Sequence, residues 1–73
     1  METSIHLDEI QLRLRAAIRQ SSLTQKEIAK KIGVSAQTVS KYMSVNVFPA
    51  LDTLGRLCQV LDISADYILG LTD

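Results

Sequence analysis

Aromatic residues are scarce in this sequence: they make up 4% of the chain, and tryptophan is absent. Apolar residues nevertheless account for 47% of its 73 residues, so the hydrophobic core must be built from aliphatic side chains. Leucine, isoleucine and valine recur at intervals of three and four residues, which is the spacing of amphipathic helices. The composition therefore predicts one small all-helical domain spanning residues 1–73.

Cysteine and histidine are also nearly absent, with one residue of each. Cys58 therefore has no partner for an intramolecular disulfide, and its place on the apolar side of a predicted helix indicates a buried, reduced thiol. His6 lies within residues 1–6, which we expect to be a flexible N-terminus. Because the sequence shows neither a cluster of metal ligands nor a glycine-rich phosphate loop, we expect no metal, no cofactor and no enzymatic activity.

Long hydrophobic runs are missing as well. The N-terminal stretch METSIHLDEI carries Glu2 and Asp8 where a signal peptide would have an apolar run. Elsewhere no stretch approaches the roughly 20 apolar residues of a membrane span. We therefore expect a soluble protein of the cytoplasm.

Neither sign of charge dominates, because eight Lys and Arg residues balance eight Asp and Glu residues. Their distribution is uneven: seven of the basic residues lie between positions 13 and 41, where Glu27 is the single acidic residue. This positive middle segment favours a polyanionic partner such as nucleic acid. The alternative, that these lysines and arginines only solvate helix surfaces, stays open at this stage.

The stretch LTQKEI, residues 23–28, has the pattern of a helix start. Thr24 fits an N-cap whose side chain accepts a hydrogen bond from the backbone N–H of Glu27, and Glu27 can reach back to the N–H of Thr24. The flanking Leu23 and Ile28 fit a hydrophobic staple over the first turn. Two further helix starts, capped by Ser35 and Ser64, have the same pattern: VSAQTV at residues 34–39 and ISADYI at residues 63–68.

The first two helix starts lie close together in the chain. The helix that begins at Gln25 must end at Gly33, because glycine adopts the left-handed conformation of a helix end at little cost. Only residues 33–35 then separate it from the next helix. This is the spacing of a helix-turn-helix motif. Ala29 supplies the small side chain that two helices crossing at a steep angle require.

Apolar stripes predict further helices on both sides of this motif. They are residues 8–20, residues 51–61 after Pro49, and residues 65–69 before Gly70. Gly55 lies inside the second of these, and we interpret it as a point where two helices approach closely. Together with a helix over residues 36–43, the chain is expected to form five helices and no strand.

Two segments resemble a known family. LTQKEIAKKIGVSAQTVSKY, residues 23–42, resembles the helix-turn-helix of the Xre-like family of phage repressor and Cro-type regulators. ALDTLGRLCQVLDISADYILGLTD, residues 50–73, is similar to the two helices that follow it in that family. The positions that carry the resemblance include Gln25, Ala29, Gly33 and Val39. It implies a five-helix lambda-repressor-like domain and a sequence-specific regulator of transcription, a repressor, that binds double-stranded DNA as a homodimer.

In helix-turn-helix proteins the second helix enters the major groove, with its N-terminal residues at the base edges. Here that helix spans about residues 36–43. The Gln37 amide can pair bidentately with adenine, and Lys41 can donate to guanine or to phosphate. The candidate base contacts are Ser35, Ala36, Gln37, Thr38, Ser40 and Lys41.

Phosphate contacts are expected beside this helix. By resemblance we assign Gln25 to a DNA phosphate, since the N–H groups and dipole of a helix N-terminus favour an anion. The complete set of candidate phosphate contacts is Gln25, Arg13, Lys26, Ser44 and Asn46. Each true contact should add about 0.9 to the slope of log affinity against log salt concentration.

Two features depart from the family pattern. Ile18 and Met43 stand where the family usually has a buried Arg–Glu ion pair. Because packed apolar residues can replace such a pair without loss of stability, we expect Ile18 to contact Met43. The second feature is MSVNVFPA, residues 43–50, which lacks the glycine and the basic residues that hold a phosphate in relatives.

This uncharged loop leaves an alternative function open. Phe48 either folds onto the core or forms, together with Val45 and Val47, an apolar patch for a protein partner. In the second case the chain would be a protein-interaction module on a helix-turn-helix scaffold, with weak or no DNA binding.

Overall fold

Five helices run along the residues that the structure, a computed structural model, describes: residues 5–44 and 47–71. They are α1 (Leu7–Gln20), α2 (Gln25–Ile32), α3 (Ala36–Ser44), α4 (Leu51–Leu61) and α5 (Ala65–Leu69). No strand occurs in these two ranges. The predicted all-α fold is confirmed. The helix boundaries differ from the expected ones by about one residue, at the start of α1 and at the end of α3.

Side-chain caps begin three of the helices, as the repeated pattern predicts. The Thr24 hydroxyl accepts from the backbone N–H of Glu27 at 3.1 Å, and the Glu27 carboxylate accepts from the N–H of Thr24 at 2.9 Å. The hydrogen bond from the Thr24 backbone holds the pKa of Glu27 below its ordinary value. Ser35 and Ser64 accept backbone hydrogen bonds in the same manner at the starts of α3 and α5.

A left-handed residue ends α2. Gly33 has φ 79°, and its N–H donates to the Ala29 carbonyl at 2.9 Å. The next N–H, that of Val34, donates to the same carbonyl at 3.0 Å. Because glycine has no Cβ, this turn carries little strain, and the chain can reverse at once into α3.

The core consists of two clusters of buried side chains. The first cluster contains side chains from α1, α2, α3 and α4. Ala29 is 2% exposed within it, as a close crossing of α2 and α3 requires. The second cluster joins α1, α4 and α5. The first consists of Leu14, Ile18, Ile28, Ala29, Ile32, Val39, Tyr42 and Leu57, and the second of Ile10, Ala17, Cys58 and Ile68. Because α1 contributes to both clusters, it is the helix on which the others rest.

Two predictions about core side chains can be compared with these clusters. Ile18 is buried, and Met43 packs against the cluster that contains it, so neither side chain lies in solvent. Cys58 is a buried free thiol, as predicted. Burial raises the pKa of this thiol, which keeps it in the unreactive protonated form.

The interpretation of Gly55 is wrong. This residue is exposed, and a Cβ built on it would meet nothing within 4 Å. No helix therefore approaches α4 at that point. A glycine in a helix lowers stability wherever it stands, and here no close contact compensates for it.

The loop before α4 lies on the core. Phe48 packs against the second cluster and Val47 against the first, and both side chains are half-buried. Phe48 is therefore folded onto the core, which is the first of the two alternatives. Val45, the third member of the expected apolar patch, lies outside the described residues.

No helix within residues 5–44 and 47–71 has both the length and the apolar character needed to cross a membrane. Within the same ranges, no group of three His, Cys, Asp or Glu side chains could hold a metal ion.

Candidate nucleic-acid interface

Helix α3 has one buried and one exposed face. Val39 and Tyr42 are 0% and 4% exposed and belong to the first core cluster. On the other side Gln37 and Lys41 are exposed, four residues apart and therefore neighbours along the helix surface. Ser40 and Ser44 are exposed beside them. One amide and one ammonium group thus lie next to each other on the solvent side of α3.

The start of α3 is held by two of the predicted base-contact residues. The Ser35 hydroxyl accepts from the N–H of Thr38 at 3.1 Å and lies 2.9 Å from the Thr38 hydroxyl. Thr38 is half-buried, whereas Ala36 is exposed. The Ser35 hydroxyl therefore caps the helix and is itself bonded to the Thr38 hydroxyl, and Ala36 and Gln37 face outward from the first turn.

The first turn of α2 presents two further candidates, Gln25 and Lys26, which are both exposed. Backbone N–H groups in the first turn of a helix have no partner within it, and the dipole makes this end positive. Lys30 and Lys31 extend the positive charge along α2.

Arg13 has a different environment from the one expected. Its Nε donates to the carbonyl of Ile68 at 3.0 Å, and its guanidinium lies against Gly70, 2.7 Å from where a Cβ would stand. Arg13 thus covers the C-terminal end of α5, where helix carbonyls lack partners. This contact gives Arg13 a role in the fold, and its assignment as a phosphate contact stays a prediction.

Two predicted phosphate contacts lie at the end of α3. The Ser44 hydroxyl donates to the Ser40 carbonyl at 3.2 Å, while the residue stays exposed. Its oxygen can still accept a hydrogen bond. Asn46 lies outside the described residues, so its assignment stays a prediction.

A buried polar residue outside the predicted sites contacts α3. Gln11 is only 8% exposed, and its Nε2 donates to the backbone carbonyl of Tyr42 at 3.4 Å. A signal was present in the sequence, because Gln11 stands three residues before Leu14 and seven before Ile18, on the buried stripe of α1. Its position thus predicts burial, but only the fold brings it next to Tyr42.

Comparison with known proteins agrees with this geometry. The helix-turn-helix family model matches residues 14–68, from the middle of α1 to α5. This chain belongs to the helix-turn-helix family. The resemblance to repressor and Cro-type regulators is thereby confirmed.

Two curated relatives come from Bacillus subtilis (strain 168). The uncharacterized HTH-type transcriptional regulator YobD is 41% identical over 61 residues, which cover 84% of this chain and 54% of that protein. The HTH-type transcriptional regulator ImmR is 36% identical over 58 residues, which cover 80% of this chain and 46% of that protein. This helix-turn-helix chain therefore spans about half the length of the relatives it matches.

A solved structure has the same fold. The solution structure of the SOS-response transcriptional repressor LexA from Eubacterium rectale superposes with a TM-score of 0.77 at 28% identity. The match covers 86% of this chain and 67% of the other.

Proposed function

We propose that this protein is a sequence-specific, double-stranded-DNA-binding transcriptional regulator that acts as a repressor, with α3 in the major groove. The observation that carries the proposal is the pair of exposed side chains, Gln37 and Lys41, opposite the buried Val39 and Tyr42. The names of its relatives and of the matching solved structure support the same function. The protein acts by binding, without catalysis, in the cytoplasm.

Base recognition comes from the outward side of α3. Gln37 offers both a donor and an acceptor, which match N7 and N6 of adenine, and Lys41 offers donors to guanine or to a nearby phosphate. Ala36 and Ser40 are exposed on either side of Gln37 and provide apolar and hydroxyl contacts. Ser35 and Thr38 contribute chiefly by holding the first turn of α3 in place.

Affinity comes from phosphate contacts on both sides of the groove. Gln25 and Lys26 bind phosphate at the positive end of α2, and Ser44 and Asn46 do so after α3. Of these four residues only Lys26 is charged, and it contributes about −0.9 to the slope of log affinity against log salt concentration per subunit. Lys41 contributes about the same where it binds a phosphate, and the uncharged residues contribute little.

The protein binds its operator as a homodimer. One recognition helix of this length reads few base pairs, whereas two related by a two-fold axis read half-sites about 34–36 Å apart. The alternative, a protein-interaction module, rested on the uncharged loop and the zero net charge. Phe48 and Val47 pack against the core, so no observation on the described residues favours it over DNA binding.

Selection of bound duplexes from a random pool tests the proposal, followed by affinity measurements at two salt concentrations. We expect a two-fold symmetric sequence and a steep salt dependence. Gln37→Ala should then weaken operator binding by about 1–3 kcal/mol and relax the preference at one base pair. Gln59→Ala is the matched control, because Gln59 is an exposed glutamine on α4. Absence of selection together with a flat salt dependence would overturn the proposal.

A further inference from the structure

A buried amide connects α1 to the C-terminal end of the recognition helix. Gln11 donates from Nε2 to the Tyr42 carbonyl across 31 positions of sequence. Tyr42 belongs to the last turn of α3, and the final four carbonyls of a helix have no donor within it. The hydrogen bond from α1 therefore supplies a donor to one of these carbonyls.

A glutamine is a costly choice at this place in the fold. Gln11 shares the inward stripe of α1 with Leu14 and Ile18, which are 1% and 3% exposed. An apolar side chain would fill the same space without the cost of desolvating an amide. What it could not do is donate a hydrogen bond to α3 in a fixed direction.

We propose that Gln11 is a positioning residue that sets the tilt of α3 relative to DNA; this inference rests on the function proposed above. The start of α3 is already held by the Ser35 cap and by the tight turn at Gly33. Its middle is held by the buried Val39. At the opposite end the Tyr42 side chain packs in the core, and the hydrogen bond from Gln11 to the Tyr42 carbonyl fixes the direction of that end. A helix of nine residues, about 13 Å long, is thereby fixed at both ends.

The two base-reading side chains should respond differently when this contact is lost. Lys41 directly precedes Tyr42, whereas Gln37 lies in the first turn, next to the capped start. A shift of the C-terminal end of α3 therefore displaces Lys41 more than Gln37. A residue that merely stabilised the fold would affect both side chains equally.

The test uses Gln11→Met, which keeps the length of the side chain and removes the donor. Thr53→Val is the matched control, because Thr53 is the other buried polar residue within residues 5–44 and 47–71 and lies in α4, outside α3. Both variants are compared with the parent protein on the selected operator and on random duplex, at a temperature where circular dichroism shows each to be folded.

Gln11→Met should weaken operator binding about threefold to tenfold. Without the hydrogen bond α3 adopts several tilts, and only one of them is competent to bind the operator. Binding to random duplex and the salt slope should not change, and Thr53→Val should bind as the parent does. In double mutants, the loss should be non-additive with Lys41→Met and additive with Gln37→Ala. Unchanged operator affinity, or equal coupling to both residues, would overturn the inference.

Two further measurements cover the remaining outcomes. If Gln11→Met does not fold, Gln11→Asn replaces it: this variant keeps the amide and withdraws it by one methylene, and the same criteria apply. If the parent protein selects no operator, the proposed function fails. Amide hydrogen exchange of the free protein then tests whether Gln11 positions the end of α3. Faster exchange confined to the last turn of α3 in Gln11→Met would support its positioning role, whereas unchanged or uniformly faster exchange would refute it.

Discussion

The helix pairs α2–α3 and α4–α5 are built in different ways. Helix α2 begins with reciprocal hydrogen bonds between Thr24 and Glu27 and ends at Gly33, around which a Cβ would meet no atom within 4 Å. Ala50, the residue before α4, makes no side-chain cap, and Asp62, the residue after it, is a non-glycine residue with φ 54°. The first pair therefore follows local rules, and the second departs from them at both ends of α4.

Contact with α1 supports the second pair. Arg13 donates to the Ile68 carbonyl across 55 positions of sequence and lies against Gly70 at the end of α5. Within α4 the ion pair between Asp52 and Arg56 joins two exposed side chains and contributes little. The α2–α3 pair is thus specified by neighbours in sequence, whereas α4 lacks such local signals and its pair depends more on tertiary contacts.

The largest expected effect distinguishes the two glycine helix ends. Gly33→Ala should destabilise the protein by about 1–2 kcal/mol, because alanine is strained in the left-handed conformation. Gly70→Ala carries the same strain, and its Cβ also displaces Nη2 at the far end of the flexible Arg13 side chain; weakening the neighbouring hydrogen bond from Arg13 Nε adds about 0.5–1.5 kcal/mol. Urea unfolding of both variants measures the difference.

The control for this prediction is Arg13→Met. In that background Gly70→Ala should cost no more than Gly33→Ala, because the side chain that it displaces is gone. Equal costs of the two glycine substitutions in the parent protein would show that Arg13 does not secure the end of α5.

A second prediction removes the side-chain cap of α2 and adds one to α4. Thr24→Ala should destabilise the protein by about 1 kcal/mol, because α2 loses its side-chain cap. Ala50→Ser should stabilise it by about 0.5–1 kcal/mol, since Ala50 has the extended backbone of a cap, with φ −61° and ψ 162°, but no side chain to serve as one. Thermal unfolding of the two variants should shift in opposite directions, and a shift in the same direction would contradict the comparison.

The smallest effect concerns pH. The pKa of Glu27 is lowered from its ordinary value of 4.5, so its cap contributes stability above that pH and loses it as the pH falls through the lower pKa of the folded state. Glu27→Gln keeps the capping geometry without the titrating group. The difference in urea midpoint between parent and variant should therefore change between pH 6 and roughly pH 3. Parallel pH profiles would show that the capping carboxylate is not linked to folding.

The sequence by itself determined the helices and the motif. The caps at Thr24, Ser35 and Ser64 and the end at Gly33 all form between residues a few positions apart, so their signals are legible in short stretches. The exposed pair on α3 follows as well, because the apolar positions Val39 and Tyr42 define which side of the helix faces the core.

Only the tertiary structure decided the roles of three side chains. Arg13 donates a hydrogen bond to α5, Gln11 donates one to α3, and Phe48 lies on the core. Charge and polarity in a sequence show that a side chain needs a partner, but the partners here lie dozens of residues away. Which of them comes within hydrogen-bond distance depends on how the helices pack around α1, and no short stretch of sequence contains that information.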